Sequence, residues 1–211
     1  MIFELTEELL FPPSHLAEED GLLAVGGDLS VERLLLAYSN GIFPWYSDET
    51  PVLWYAPHER FVIFPEELKV SKSMQKFVRK TSLSISFDTA FLQVIEACAS
   101  VKRAGQDGTW ITADMKAAYT RLHELGFAHS VEVWEGESLV GGLYGVLVNK
   151  VFCGESMFAK ETNASKMALI WLCENLDLNL VDCQVYTEHL ESLGARMIPA
   201  EDYLKTLREQ Y

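Results

Sequence analysis

The apolar positions change their period several times along the chain, and each change predicts an element. After Ser30, whose hydroxyl suits a helix N-cap, Leu34, Leu35, Ala37 and Tyr38 recur at helical spacing, and Gly41 suits the stop. Two short apolar runs follow Pro51, Val52 to Tyr55 and Phe61 to Phe64. Punctuated by Pro57 and Pro65, they read as strands. Ser71 to Lys80 reads as an amphipathic helix with Met74, Phe77 and Val78 inward, and Thr89 to Ser100 as a second with Phe91, Val94, Ile95 and Cys98 inward. Thr112 caps a third through Leu125, with Met115, Ala118, Tyr119 and Leu122 inward and Gly126 as its stop.

From Ser130 the pattern predicts three antiparallel strands, Ser130 to Trp134, Ser138 to Val148 and Val151 to Glu155. They turn at Glu135-Gly136-Glu137 and Asn149-Lys150. A helix from about Asn163 to Leu176, a strand at Leu180 to Cys183, a short helix to Gly194, a strand at Met197-Ile198 and a helix from Ala200 complete the order. This is an α+β pattern. A soft boundary near Pro65 divides it into a small N-terminal α/β domain, residues 1–64, packed on a larger domain, residues 65–211. The meander, helix, strand, helix order of the larger part resembles the acyl-CoA N-acyltransferase (GNAT-like) fold, whose strands splay to admit an acyl donor.

Composition narrows the class. A chain of 211 residues with 49% hydrophobic content fills a core without metal or disulfide staples. No apolar run approaches the roughly 18 residues of a membrane span. Glu4, Glu7 and Glu8 stand where a signal peptide would be basic, so a soluble, cytoplasmic protein is expected. Cys98, Cys153, Cys173 and Cys183 show no CxxC pairing and read as reduced core residues. The net charge of −14 argues against nucleic acid. Its distribution weakens that objection, because Lys69, Lys72, Lys76, Arg79 and Lys80 lie in one stretch without an acid. Taken alone, the stretch is either a solvated helix face or a phosphate contact.

Several motifs yield no chemistry. Gly154-Glu155-Ser156-Met157-Phe158 begins like a nucleophile elbow but has Phe158 in the last glycine position. Cys183 with His189 as a thiol dyad weighs less than Cys183 as a small core residue. His15, His58, His123, His129 and His189 lack metal-ligand spacing, and no metal or cofactor is expected. Gly141, Gly142 and Gly145 fall inside a strand, where close backbone approach to a substrate or a bulge accounts for them.

What remains is a loop and a set of polar residues. Gly41-Ile42-Phe43-Pro44-Trp45-Tyr46-Ser47, with Trp54 nearby, holds aromatics on an irregular segment suited to stacking on a flat ring. Glu155 and Asp182 each follow an apolar strand at its expected C-terminal end. Each is in isolation either a strand-end or capping acid or part of a site. Amine acylation needs such groups, because an ammonium must lose a proton before it attacks. Gln184, on the same face as Asp182, hydrogen-bonds an amine or carbonyl there, and all three are expected to line a wet cleft.

The order Gly26-Gly27-Asp28-Leu29-Ser30, Gly41 to Trp45, Gly108-Thr109-Trp110-Ile111-Thr112, Val140 to Gly145, Cys153 to Phe158, Asn163-Ala164-Ser165-Lys166 and Asp182-Cys183-Gln184 resembles the leucyl/phenylalanyl-tRNA-protein transferase family, from about Gly21 to Tyr203. The resemblance implies transfer of leucine or phenylalanine, and less readily methionine, from its tRNA ester to the N-terminal Lys or Arg of acceptor proteins, marking them for N-degron degradation. It implies no ATP, metal or cofactor, and a monomer. It also implies that Trp45 and Trp110 sandwich the terminal adenine, and that Leu143, Phe152, Met157 and Leu172 line the pocket for the apolar side chain. Glu155 then meets the donor's α-amino group or the reacting centre. Asp182 and Gln184 orient and activate the acceptor amine, by base catalysis or by positioning. Lys72, Lys76, Arg79 and Lys80 contact tRNA. The family often has asparagine at Thr187 and an aromatic at Leu172, and some members carry a tail beyond Tyr211. Two other readings remain, an acyl-CoA-dependent N-acyltransferase and a non-catalytic RNA-binding module.

Overall fold

A computed structural model describes residues 2–101 and 111–209. Two sheets organise it. The smaller has the order β1-β2-β4-β3, built from β1 (Phe3–Leu5), β2 (Leu22–Gly26), β3 (Phe43–Pro44) and β4 (Leu53–Tyr55). Pro44 has no backbone N–H and sits on its edge strand, the place in a sheet that tolerates proline. The larger sheet has the order β11-β5-β10-β9-β8-β7-β6. Its strands are β5 (Glu59–Ile63), β6 (Ser84–Phe87), β7 (Ala128–Glu135), β8 (Ser138–Val148), β9 (Val151–Ala159), β10 (Leu180–Asp182) and β11 (Arg196–Pro199). All its pairs are antiparallel except β9 with β10, which α5 (Ala164–Asn175) connects.

The expected helices form as α1 (Val31–Ser39), α2 (Lys72–Lys80), α3 (Phe91–Ser100), α4 (Ala113–Glu124), α5, α6 (Glu188–Glu191) and α7 (Ala200–Arg208). Ser30, Ser71 and Thr112 each accept a hydrogen bond from the backbone N–H three residues on, as their N-cap positions require. Val78 is a correction. It lies exposed, and α2 buries Met74 and half-buries Phe77, because a short surface helix has only a narrow contact stripe.

Strand alternation sends side chains to opposite faces of the larger sheet and makes two cores. Tyr144, Val146, Cys153, Leu180 and Val62 face α1, α3, α4 and the small sheet. Leu143, Phe152, Val181, Phe61 and Ile63 face α2 and α5. The soft boundary at Pro65 falls on the far side of β5, whose residues already pair with β10 and β11 in the larger sheet. The glycines of β8 admit the protein's own atoms. A Cβ at Gly141 would meet Ala164 Cβ at 2.4 Å, and one at Gly145 the Cys153 carbonyl oxygen at 2.3 Å. The bulge expected among them is present, a register shift between Tyr144 and Gly145. Among the described residues, no helix is long and apolar enough to cross a membrane.

Candidate active site

β10 ends at Asp182 while its parallel neighbour β9 runs on to Ala159, so the two strands part. A cavity of about 470 Å3 opens there. Leu143, Phe152, Met157, Leu169, Val181 and Leu190 supply apolar wall. Phe43, Pro44 and Trp45 of the small sheet's edge close one side, and Glu155, Asp182, Gln184, Thr187 and His189 supply polar groups.

Glu155 is not at a strand end, as its apolar neighbours suggest, but inside β9. Tyr144 pairs with Ser156 and Gly145 with Gly154, which leaves Glu155 as the extra residue of a bulge. A bulge turns a side chain out of the regular pleat, and here it turns a carboxylate among buried groups. Tyr38 Oη donates to Glu155 Oε1 at 2.6 Å, Tyr119 Oη donates to Oε2 at 3.2 Å, and Gln184 Nε2 donates to Oε1 at 3.0 Å. The two tyrosine hydroxyls also bond each other. Burial disfavours the anion and pushes the carboxyl up to about 7 despite the hydrogen bonds from Tyr38, Gln184 and Tyr119.

Asp182 corrects the expectation of a wet cleft. It has no solvent exposure. Its Oδ2 bonds Arg60 Nη2, and its Oδ1 accepts the Gln184 backbone N–H at 3.0 Å. These two bonds fix the carboxylate in place, a geometry suited to positioning its neighbours. Arg60 is itself buried. It donates to the Gly41 carbonyl, and its guanidinium lies 4.3 Å from the Tyr203 ring centroid and 5.1 Å from that of Phe43. Burial opposes its charge, but the neighbouring Asp182 carboxylate holds its pKa above the ordinary value.

Gln184 has φ of 60°, the left-handed region that a non-glycine residue enters at a cost. The Asp182 bond to its N–H holds that turn, and the turn aims its amide at Glu155. Thr187 lines the cavity and uses its hydroxyl to cap α6, accepting from Leu190 N–H at 3.2 Å.

Of the sequence-predicted residues, Trp45, Leu143, Phe152, Met157, Glu155, Asp182 and Gln184 meet at this cavity. Trp45 is 37% exposed, tilted against Tyr55 with ring centroids 5.9 Å apart. Trp54 is fully buried against Phe11, with its Nε1 donating to the Gly26 carbonyl, and so offers no stacking face. Leu172 is a correction. It is wholly buried in the core behind the cavity, and Leu169, one turn earlier on α5, takes the wall position. Trp110 lies outside the described residues. Lys72, Lys76, Arg79 and Lys80 are exposed along α2, apart from the cavity lining. Tyr38, Tyr119 and Arg60 were missed as site residues. The first two stood in the pattern only as inward helix positions, and Arg60 carries no local signal at all. Cys183 does not suit a thiol nucleophile: burial pushes its thiol well above the ordinary value, and its sulfur donates weakly to the Val181 carbonyl at 3.9 Å.

Comparison with known proteins gives a consistent picture. A family model described as leucyl/phenylalanyl-tRNA protein transferase matches residues 62–208, and the model of that family's N-terminal domain matches residues 27–58. A leucyl/phenylalanyl-tRNA–protein transferase of Syntrophobacter fumaroxidans is 58% identical, covering 99% of this chain and 90% of its own. One of Flavobacterium psychrophilum is 54% identical, covering 97% and 99%. Among solved structures, a functionally unknown conserved protein from Staphylococcus epidermidis aligns at 11% identity and a TM-score of 0.45 over 84% of this chain and 68% of its own.

Proposed function

The chain belongs to the leucyl/phenylalanyl-tRNA protein transferase family, and from that premise we infer how its cavity carries out aminoacyl transfer from a charged tRNA to a protein N-terminus. The acceptors are proteins that begin with Lys or Arg, which the added Leu, Phe or, less readily, Met marks for degradation. The observation that carries the reading is one cavity with an apolar wall, an exposed indole at its rim, and a buried Glu155–Gln184 pair at its polar end.

Each part has a task. Leu143, Phe152, Met157 and Leu169 accept the apolar aminoacyl side chain, whose burial is worth roughly 1.5–3 kcal/mol. Trp45 stacks on the terminal adenine together with Trp110. Glu155, neutral or anionic near pH 7, meets the donor's α-amino group. Gln184 presents its amide to the reacting amine and carbonyl, and Asp182 positions Gln184 through its backbone while neutralising Arg60. These contacts align two reactants whose conversion from ester to amide is downhill, so placement supplies the rate without ATP. Lys72, Lys76, Arg79 and Lys80 hold tRNA phosphates.

In this reading the larger part is an acyltransferase-like (GNAT-like) unit, supported by the parting of β9 and β10. The family-model division near residue 58 supports a small N-terminal domain. The protein works as a monomer in the cytoplasm. The test mixes the protein with Phe-charged tRNA and peptides beginning with Lys, Arg or Ala. Mass spectrometry should find Phe added to the first two alone. Equal addition to all three would refute the acceptor assignment.

A further inference from the structure

The cavity is built from two sheets. Trp45, at its rim, follows the edge strand β3 of the smaller sheet, whereas Gln184, at its polar end, follows β10 of the larger one. Transfer needs the two held in one register, because a donor stacked on the rim must bring its ester carbonyl to the polar end. One side chain joins them.

Arg60 stands on β5, opposite Ile198 of β11 and two residues before Val62, which pairs with Asp182. The residue is 2% exposed. One end of its guanidinium, Nη1, donates to the carbonyl of Gly41, where the chain turns out of α1 with φ of 71°. The other end, Nη2, bonds Asp182 Oδ2, and Asp182 Oδ1 holds the Gln184 backbone N–H. Phe43, two residues before Trp45, lies against the same guanidinium, and the Tyr203 ring of α7 packs on it as well. An ion pair buried in this way costs desolvation that apolar packing avoids. What a guanidinium adds is a rigid, planar fork whose two ends sit at a fixed separation.

We propose that Arg60 is a positioning residue for the transfer, setting the Trp45 rim against Gln184 through one guanidinium, an inference that rests on the transferase reading above. Gly41 and Phe43 form the donor arm of the link, and Asp182 with the Gln184 turn forms the acceptor arm. Buried as it is, Arg60 acts through these arms and touches neither reactant. With the fork in place, a donor anchored on Trp45 meets Gln184 in a single geometry. Without it, each arm still holds its own reactant, but the ester carbonyl and the amine lose their common register. Lysine keeps the charge as a single ammonium on a flexible stem, so it satisfies Asp182 without spanning to Gly41.

The test is single-turnover transfer of Phe from charged tRNA to a Lys-initiated peptide at saturating donor, with donor KM and Tm measured alongside. It compares the wild type with Arg60→Lys, Gln184→Ala, the two combined, and Arg60→Ala. Arg60→Lys should transfer about 10- to 100-fold more slowly with donor KM unchanged. Gln184→Ala should slow the wild type but add little to the loss in Arg60→Lys, because a misplaced amide has no benefit left to remove. Arg60→Ala opens its space onto a pocket of about 290 Å3 lined by Asn40, Gly41 and Tyr203, and millimolar guanidinium should restore part of its rate. A folded Arg60→Lys with the wild-type rate would overturn the inference. So would losses that multiply in the combined variant, or an Arg60→Ala that gains nothing from guanidinium, since either marks a packing role. If Arg60→Lys alone does not fold, guanidinium rescue of Arg60→Ala decides. Variants that do not fold even with guanidinium present make Arg60 a core residue and overturn the inference too. A wild type that transfers nothing overturns the transferase reading, and this inference with it.

Discussion

Glu155→Gln isolates the cost of placing a carboxylate on a buried bulge. The folded protein holds the Glu155 pKa at about 7, against 4.5 for the free side chain. The folded state therefore keeps a proton that the unfolded chain releases. Stability from this group is complete below pH 4.5 and is lost as pH rises through about 7. At about 1.36 kcal/mol per pKa unit, the loss between pH 5 and pH 8 is roughly 2 to 3 kcal/mol. Glutamine has no proton to release in this range and keeps an oxygen that can accept from Tyr38. The variant should therefore match the wild type near pH 5 and exceed it at pH 8. For a chain of this length the gain is about 5–10 °C in Tm. Urea or thermal unfolding at both pH values measures it. A wild-type-minus-variant difference that stays constant from pH 5 to pH 8 would show that Glu155 is ionised in the fold.

Three further outcomes are expected. Asp182→Asn leaves the Arg60 guanidinium buried without its counter-charge, so it should cost about 3–5 kcal/mol of stability, and wild-type melting behaviour would contradict the engaged pair. Trp45→Ala should raise donor KM by an amount worth roughly 1–3 kcal/mol with little change in Tm, as loss of one base stack does. Unchanged KM for an aminoacylated adenosine would remove the stacking assignment. Charge reversal at Lys72, Lys76, Arg79 and Lys80 should weaken intact charged tRNA far more than a minimal aminoacyl-adenosine donor and flatten the salt dependence of binding. Equal losses for both donors would place the effect in folding.

Much of this architecture was legible from local signals. Ser30, Ser71 and Thr112 cap helices because a short hydroxyl side chain reaches the third backbone N–H, a rule that needs no tertiary context. β1, β2, β3 and β6 were not foreseen. They are strands of two to five residues whose pairing depends on distant partners. Leu172 was misplaced for a related reason. Ala164, Met167, Ala168, Leu169, Ile170, Leu172 and Cys173 of α5 are all buried, and a helix covered nearly all round gives no stripe to say which residue faces a cavity. The bulge that makes Glu155 unusual is a mismatch between two strands, and neither strand's own sequence shows it.

The position of β5 governs when the site can come into being. Val62 pairs with Asp182 on one side and Arg196 on the other, so a strand made early during synthesis lies between two made late. Until both late strands leave the ribosome, β5 has two unpaired edges and Arg60 has no counter-ion. Such an intermediate is open to non-native strand pairing. Closing so long a loop also makes folding slow relative to local helix formation. Activity should therefore arise only after both late strands are made, and a nascent chain halted before β10 would hold Leu143, Phe152, Met157 and Leu169 of the apolar wall without Asp182 and Gln184.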